Sequence, residues 1–130
     1  MKIKKQDEWY SVRQCQHNPN TLYIFGDNVM RAGKGGQAII RDCQNSFGIV
    51  TKWAPGKLPR DYFSDFDTSL NHIKYDLIQL KDYLKDTIID TVVFPADGLG
   101  TGLSDLPNKA PDTYKEMNDL IFKQFGIKYD

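Results

Sequence analysis

The sequence predicts a three-layer α/β/α domain built around a mostly parallel sheet, with residues 1–130 forming one domain. The chain of 130 residues has the length of one ordinary domain, and 40% of its residues are hydrophobic. Its apolar runs are nearly continuous, as in strands that are covered on both faces. Segments of this kind alternate with amphipathic helices, which is typical of parallel α/β folds.

Three segments predict strands because they are rich in β-branched and aromatic residues. They are residues 21–25, 49–53 and 87–94, and each is followed closely by glycine or proline. Residues 8–12 fit either a strand or a helix. The predicted sheet therefore has at least three strands.

Helices are predicted between and after these strands. Apolar residues three and four positions apart mark a long helix: Phe66, Leu70, Ile73, Leu77, Leu80 and Leu84. Asp65, Asp67 or Thr68 can cap its start. Apolar residues between Tyr114 and Phe125 mark a last helix, which opens near residues 111–112 and is ended by Gly126. A shorter helix is predicted over about residues 37–43, because apolar residues 38–40 follow a glycine cluster.

The charge balance narrows the function classes. Lys plus Arg is 17 and Asp plus Glu is 17, so the net charge is zero, and we expect no bulk nucleic-acid binding. No apolar stretch is long enough for a membrane span, and no secretion signal is recognisable. Cys15 and Cys43 are therefore expected to be free thiols in a cytoplasmic protein. His17 and His72 are isolated, so we expect no metal site and no cofactor.

Two glycine-rich segments carry the functional argument. The first glycine loop (residues 26–36) follows one predicted strand, and the second glycine loop (residues 97–107) follows another; both precede helices. Glycine lets backbone N–H groups turn toward one point, where a phosphate or diphosphate can be bound. Ligands of α/β sheets lie beyond the carboxyl ends of the strands, which is where both loops begin. The alternative is that the glycines only make tight turns. Neither loop matches the P-loop or the G-x-G-x-x-G dinucleotide motif.

The loops resemble those of macro domains, the ADP-ribose-binding α/β modules, over roughly residues 21–125. That family has an Asn at the end of a core strand, then a glycine cluster that opens a helix. Here Asn28 is followed by Gly33, Gly35 and Gly36. The family's second loop reads small residue, Gly, aliphatic, two variable residues, aromatic, Pro. Residues 101–107 (TGLSDLP) fit, except that leucine replaces the aromatic residue.

The resemblance is closest to a macro-domain subclass that removes ADP-ribose from acidic side chains with a Lys and an Asp. Its loop reads Gly-x-Gly-Leu-Asp-x-Leu, whereas this chain has its aspartate one position later, at Asp105. Lys52 is the nearest match to the catalytic lysine. The family's adenine-binding Asp follows its first strand, and Asp7 is the nearest candidate here.

The resemblance implies a set of site residues. The expected catalytic residues are Asp105, Asn28 and Lys52. The expected ligand-binding residues are Asp27, Asn28, Gly33, Gly35, Gly36, Gln37, Asp97, Gly98, Gly100, Thr101, Gly102 and Leu103. Each has a structural alternative: Asn28 can close a turn, Asp105 can cap a helix, and Lys52 can point into solvent.

The leading functional hypothesis is binding of ADP-ribose or a related nucleotide diphosphate, with hydrolysis of ADP-ribosyl linkages on proteins left open. The expected partner is ADP-ribose or an ADP-ribosylated protein. The alternatives are a binding module without catalysis, which reads or sequesters such a ligand, and a structural protein whose glycines only form turns.

Overall fold

A four-stranded, all-parallel sheet forms the centre of the computed structural model, which describes residues 1–129. The strands are β1 (Lys2–Gln6), β2 (Thr21–Asn28), β3 (Ser46–Lys52) and β4 (Thr91–Pro95). Their order across the sheet is β1-β4-β2-β3, so β1 and β3 are the edge strands. Because the strands are parallel, all four carboxyl ends meet at one edge of the sheet.

Helices cover both faces of this sheet. The α-helices are α1 (Val12–His17), α2 (Ser69–Tyr83), α3 (Leu106–Lys109) and α4 (Pro111–Phe125). Short 3₁₀ helices span Gly36–Ile40 and Pro59–Asp61. Core residues of α2 and α4 pack on one face, and those of α1 and the first 3₁₀ helix pack on the other. The predicted three-layer α/β/α fold is therefore confirmed.

The larger core lies between the sheet and helices α2 and α4. Leu22 and Ile24 of β2 point to this face, because successive strand side chains alternate between the two faces. They meet Ile73 of α2 and Met117 of α4, and all four side chains are fully buried. Truncating a buried leucine or isoleucine of this kind to alanine costs about 2–5 kcal/mol.

The smaller core lies on the opposite face. Tyr23 and Phe25 of β2 pack there against Tyr10 and Cys15. The hydroxyl of Tyr10 donates to the carbonyl oxygen of Ile24 at 2.7 Å, so the segment before α1 is fastened directly to the sheet. Burial raises the pKa of Tyr10, and the phenol stays neutral.

The first strand lies outside the predicted elements, and two predicted strands differ in their boundaries. Strand β1 is a lysine-rich edge strand with no fully buried residue, so it lacks the apolar pattern that predicts a strand. The prediction over 87–94 was wrong for residues 87–90, since β4 begins at Thr91. The strand predicted over 49–53 begins earlier, at Ser46, and ends at Lys52.

The helix predictions also differ at their starts. Phe66 does not belong to the apolar stripe, since it is 100% exposed and α2 begins only at Ser69. Asp67 accepts the Ser69 N–H, whereas Asp65 accepts from Thr113 N at 2.8 Å and so caps α4 instead. The helix predicted over 37–43 is a single 3₁₀ segment that ends at Ile40.

Candidate functional site

A cavity of about 460 Å³ opens at the edge where the carboxyl ends of the strands meet. Its walls come from residues 6–10, 35–37, 95–97 and 100–104, together with Gly26 and Thr51. Both glycine loops therefore line the same cavity, and the segment after β1 closes its third side.

The two glycine loops touch each other directly. A Cβ atom on Gly26 would lie 3.4 Å from the backbone nitrogen of Gly100. Gln37 bridges the loops: its Oε1 accepts from Gly26 N at 2.8 Å, and its Nε2 donates to Gly98 O at 3.4 Å. This one side chain fixes the spacing between the two loops.

Backbone donors without protein partners line the cavity. Within residues 1–129, the N–H groups of residues 101–104 donate to no protein acceptor, and neither do those of residues 35–37. These residues all line the cavity. Successive unpaired N–H groups at a concave surface form a site for an anion.

The conformation of the second glycine loop depends on Gly100. Its φ is +77°, and a Cβ there would lie 2.9 Å from Leu106 Cβ and 3.1 Å from Thr51 Cβ. Leu106 N donates to Gly100 O at 2.8 Å, which closes the loop against the start of α3. Only glycine fits this position.

The charged groups at the cavity are all acidic. No lysine or arginine of the described residues lines it, whereas Asp7, Glu8 and Asp97 do. Asp7 follows β1 and Asp97 follows β4, and these strands are paired up to Gln6 and Pro95. The backbone N–H groups therefore supply the positive potential within the cavity.

Eight of the predicted site residues line the cavity. They are Gly35, Gly36, Gln37, Asp97, Gly100, Thr101, Gly102 and Leu103. Asp27, Asn28, Gly33, Lys52, Gly98 and Asp105 are not part of its lining.

Asp27 lies outside the cavity lining, in an ion-pair network whose two carboxylates are buried and whose Arg31 side chain is 45% exposed. Its carboxylate pairs with Arg41 at 2.6 Å and with Arg31 at 3.3 Å, and Arg31 also pairs with Asp76 at 2.7 Å. Arg41 donates in addition to Gly33 O at 2.8 Å. This network holds the first glycine loop from behind rather than facing the cavity.

Asn28 closes the turn that follows β2. Its Nδ2 donates to Ala32 O at 2.7 Å, and its Oδ1 accepts from Ala32 N at 3.4 Å. Both ends of the amide are thus engaged within the first glycine loop.

Lys52 and Asp105 are both occupied away from the cavity. Lys52 Nζ donates to Gly56 O at 2.6 Å and lies 4.5 Å from the centre of the Tyr62 ring. Burial lowers the pKa of Lys52, although the nearby Asp61 partly offsets that effect. The Asp105 carboxylate accepts from Asn108 Nδ2 at 2.7 Å, one turn into α3.

The structure adds residues that the sequence argument missed, chiefly Thr51 and Ser104. Their hydroxyl oxygens lie 2.7 Å apart at the junction of β3 and the second glycine loop. Ser104 lines the cavity, whereas its neighbour Asp105 does not. Tyr10 and the 85% exposed Trp9 form the wall after β1. In the sequence, the available signal for that wall was a tryptophan that directly follows two acidic residues, Asp7 and Glu8.

The fold and the site define a parallel α/β domain with an amide-lined cavity at the carboxyl edge of its sheet. The chain belongs to the family described as "Family of unknown function (DUF7831)", which it matches over residues 5–120. No curated protein and no solved structure matches it. Among residues 1–129, no helix has the length and apolarity needed to cross a membrane. Within the same range, no cluster of three His, Cys, Asp or Glu side chains could hold a metal ion.

Proposed function

We propose that this protein binds ADP-ribose, with the diphosphate seated on the backbone N–H groups of the second glycine loop. The carrying observation is the run of unpaired N–H groups over residues 101–104, in the wall of a cavity shared with the first glycine loop. Such a nest stabilises a diphosphate without lysine or arginine. Such a site would let a chain of zero net charge bind an anion.

The size and shape of the cavity support a ligand larger than a phosphate ion. A volume of about 460 Å³ lies within the range of ~300–1,000 Å³ that small-molecule sites usually have. The exposed apolar side chains of Trp9 and Leu103 both line the cavity, where an aromatic base or a sugar can pack. The similarity of residues 101–107 to the macro-domain loop favours ADP-ribose among nucleotide diphosphates.

The geometry favours binding over hydrolysis by the expected residues. The side chains of Asn28, Lys52 and Asp105 are all hydrogen-bonded to protein atoms outside the cavity lining. A general base must come within about 3 Å of its proton, directly or through one water. Of the predicted site residues Asp27, Asp97 and Asp105, Asp97 alone lines the cavity; Asp7, the nearest candidate for the adenine-binding aspartate, lines it as well. We therefore place the non-catalytic module first and hydrolysis of ADP-ribosylated protein second.

A binding experiment tests the proposal. Isothermal titration calorimetry with ADP-ribose should give one site per chain, with weaker binding of AMP and of ribose 5-phosphate, each of which lacks the diphosphate. No heat and no thermal shift at millimolar ADP-ribose would contradict the proposal.

A turnover assay separates the two candidate functions. Wild-type protein is incubated with ADP-ribosylated protein, and released ADP-ribose is measured beside the variants Asp97→Asn and Asp105→Asn. The binding module predicts no release by any of them. Release by wild type that is lost in Asp97→Asn would instead support a hydrolase.

The proposal includes a cytoplasmic location. Cys15 and Cys43 are both free, as expected for thiols in a reducing compartment. A cell-fractionation experiment with a tagged chain checks this, and recovery from an extracellular fraction would contradict it.

A further inference from the structure

Ser104 is held by a hydroxyl relay whose direction the surrounding atoms determine. Thr51 is fully buried, and its Oγ1 lies 3.2 Å from the carbonyl oxygen of Asp27 and 2.7 Å from Ser104 Oγ. A carbonyl oxygen can only accept, so the single hydroxyl hydrogen of Thr51 points to Asp27. For both bonds to form, Ser104 must donate its own hydrogen to Thr51.

The relay makes the Ser104 hydroxyl a hydrogen-bond acceptor toward a ligand. Because its hydrogen is directed at Thr51, its oxygen offers only lone pairs to a ligand. Phosphate oxygens also carry only lone pairs, so they gain no hydrogen bond there. A sugar hydroxyl has a hydrogen to donate and can form one.

The Ser104 hydroxyl oxygen, an acceptor, lies in the same loop as the backbone N–H donors. The N–H groups of residues 101–104 are donors, and these residues, Ser104 included, form one stretch of the cavity wall. The wall thus carries a site for a diphosphate next to a site for a hydroxyl group. A nucleoside diphosphate that ends in phosphate fits only the first of these with its terminal group, whereas one whose terminal phosphate is joined to a second sugar fits both.

We propose that Ser104, oriented by Thr51, is a specificity-determining residue that selects a nucleoside diphosphate whose terminal phosphate is joined to a second sugar over one that ends in phosphate. This assignment rests on the proposed function, and it specifies that Ser104 hydrogen-bonds the second sugar of the ligand. It also gives the hydroxyl pair a role beyond joining β3 to the second glycine loop.

Calorimetry with two ligands tests the assignment. ADP-ribose and ADP share the diphosphate, and only ADP-ribose carries the second ribose. We expect Ser104→Ala to weaken ADP-ribose roughly three- to tenfold, the range of one neutral hydrogen bond, and to leave ADP unchanged. Thr101→Ala is the matched control from the same loop, and its effect on the two ligands should be equal.

Variants of Thr51 give a second, independent readout. Thr51→Val removes the acceptor, so the Ser104 hydrogen can turn toward the cavity and donate to phosphate; the preference for ADP-ribose over ADP should shrink. Thr51→Ser keeps the relay and should restore that preference. A purely structural role would lower the affinity for both ligands alike.

The outcomes separate this assignment from the proposed function. If wild type binds ADP-ribose and Ser104→Ala changes neither affinity, or both by the same factor, Ser104 does not select the sugar while the proposed function stands. If wild type binds neither compound, the proposed function is contradicted and the assignment falls with it.

Discussion

Two glycines of the second glycine loop should respond in opposite ways to the same substitution. Gly102 has no atom within 4 Å of its hypothetical Cβ and does not need a left-handed φ, whereas Gly100 has a φ of +77° and a Cβ that would lie 2.9 Å from Leu106. Both residues line the cavity. Alanine at either position therefore adds one methyl group to the same wall with different consequences for folding.

The expected magnitudes follow from these environments. Gly102→Ala reduces the freedom of the unfolded chain, and we expect it to raise the free energy of unfolding by ~0.4–1 kcal/mol. Gly100→Ala places alanine in a left-handed conformation, at roughly 1–2 kcal/mol, and overpacks the contact with Leu106, at about 1–3 kcal/mol. We therefore expect Gly100→Ala to lower the free energy of unfolding by about 2–5 kcal/mol.

In the Gly102→Ala variant, the affinity for ADP-ribose should fall although the free energy of unfolding rises. Its methyl group projects beside the N–H groups proposed to hold the diphosphate, so ADP-ribose affinity should fall by about tenfold or more, equal to ~1.4 kcal/mol. Urea unfolding measures the stability of both variants, and calorimetry measures the affinity of Gly102→Ala. A Gly102→Ala protein that is stable and binds ADP-ribose like wild type would refute the reasoning.

Three further predictions follow from the site. Gln37→Leu removes the hydrogen bonds that bridge the glycine loops. It should lower the free energy of unfolding, measured by urea titration, by ~1–3 kcal/mol, and it should weaken ADP-ribose binding. Unchanged stability and unchanged affinity would contradict the bridging role. Asp105→Asn should keep ADP-ribose affinity within about twofold by calorimetry, because its carboxylate holds Asn108; a loss larger than the ~1.4 kcal/mol of a tenfold change would place Asp105 in the site. Burial lowers the pKa of Lys52 below its ordinary 10.5, so the unfolded chain binds more protons in that window and stability rises with pH. Burial raises the pKa of Tyr10, which acts in the opposite direction at alkaline pH, so the Lys52 contribution is measured as a difference between two proteins. In urea titrations from neutral to alkaline pH, the free energy of unfolding of wild type should rise more, or fall less, than that of Lys52→Gln; equal slopes would contradict it.

The placement of the glycine loops was predictable from the sequence because it depends on general rules of parallel sheets. Two apolar segments end in glycine-rich loops, and parallel strands bring their carboxyl ends to one edge. As this rule predicts, the two glycine loops meet, and Gly26 lies next to Gly100.

The third wall was not predictable in the same way. Strand β1 pairs only with β4 and lies at the sheet edge, and three of its five residues are exposed lysines, so its sequence carries no core signal. Without this strand, the position of residues 7–10 beside the cavity cannot be inferred.

Side-chain direction also escaped the sequence argument. Whether Asp27 faces a ligand depends on residues that are distant in the sequence. In the folded chain Asp27 pairs with Arg41 and Arg31, and Arg31 also pairs with Asp76. The sequence also could not show that Ser104, rather than Asp105, lines the cavity. Asp105 has a left-handed backbone conformation, with a φ of +46°, and its carboxylate is directed toward Asn108 of α3.

The most direct test of the central claim is a ¹⁵N NMR titration of the backbone amides with ADP-ribose. Binding through the N–H nest predicts that the largest shifts occur at residues 101–104 and 35–37, with downfield movement as these amides acquire phosphate acceptors. Shifts confined to other parts of the chain, such as the ion-pair network around Asp27, would contradict the account.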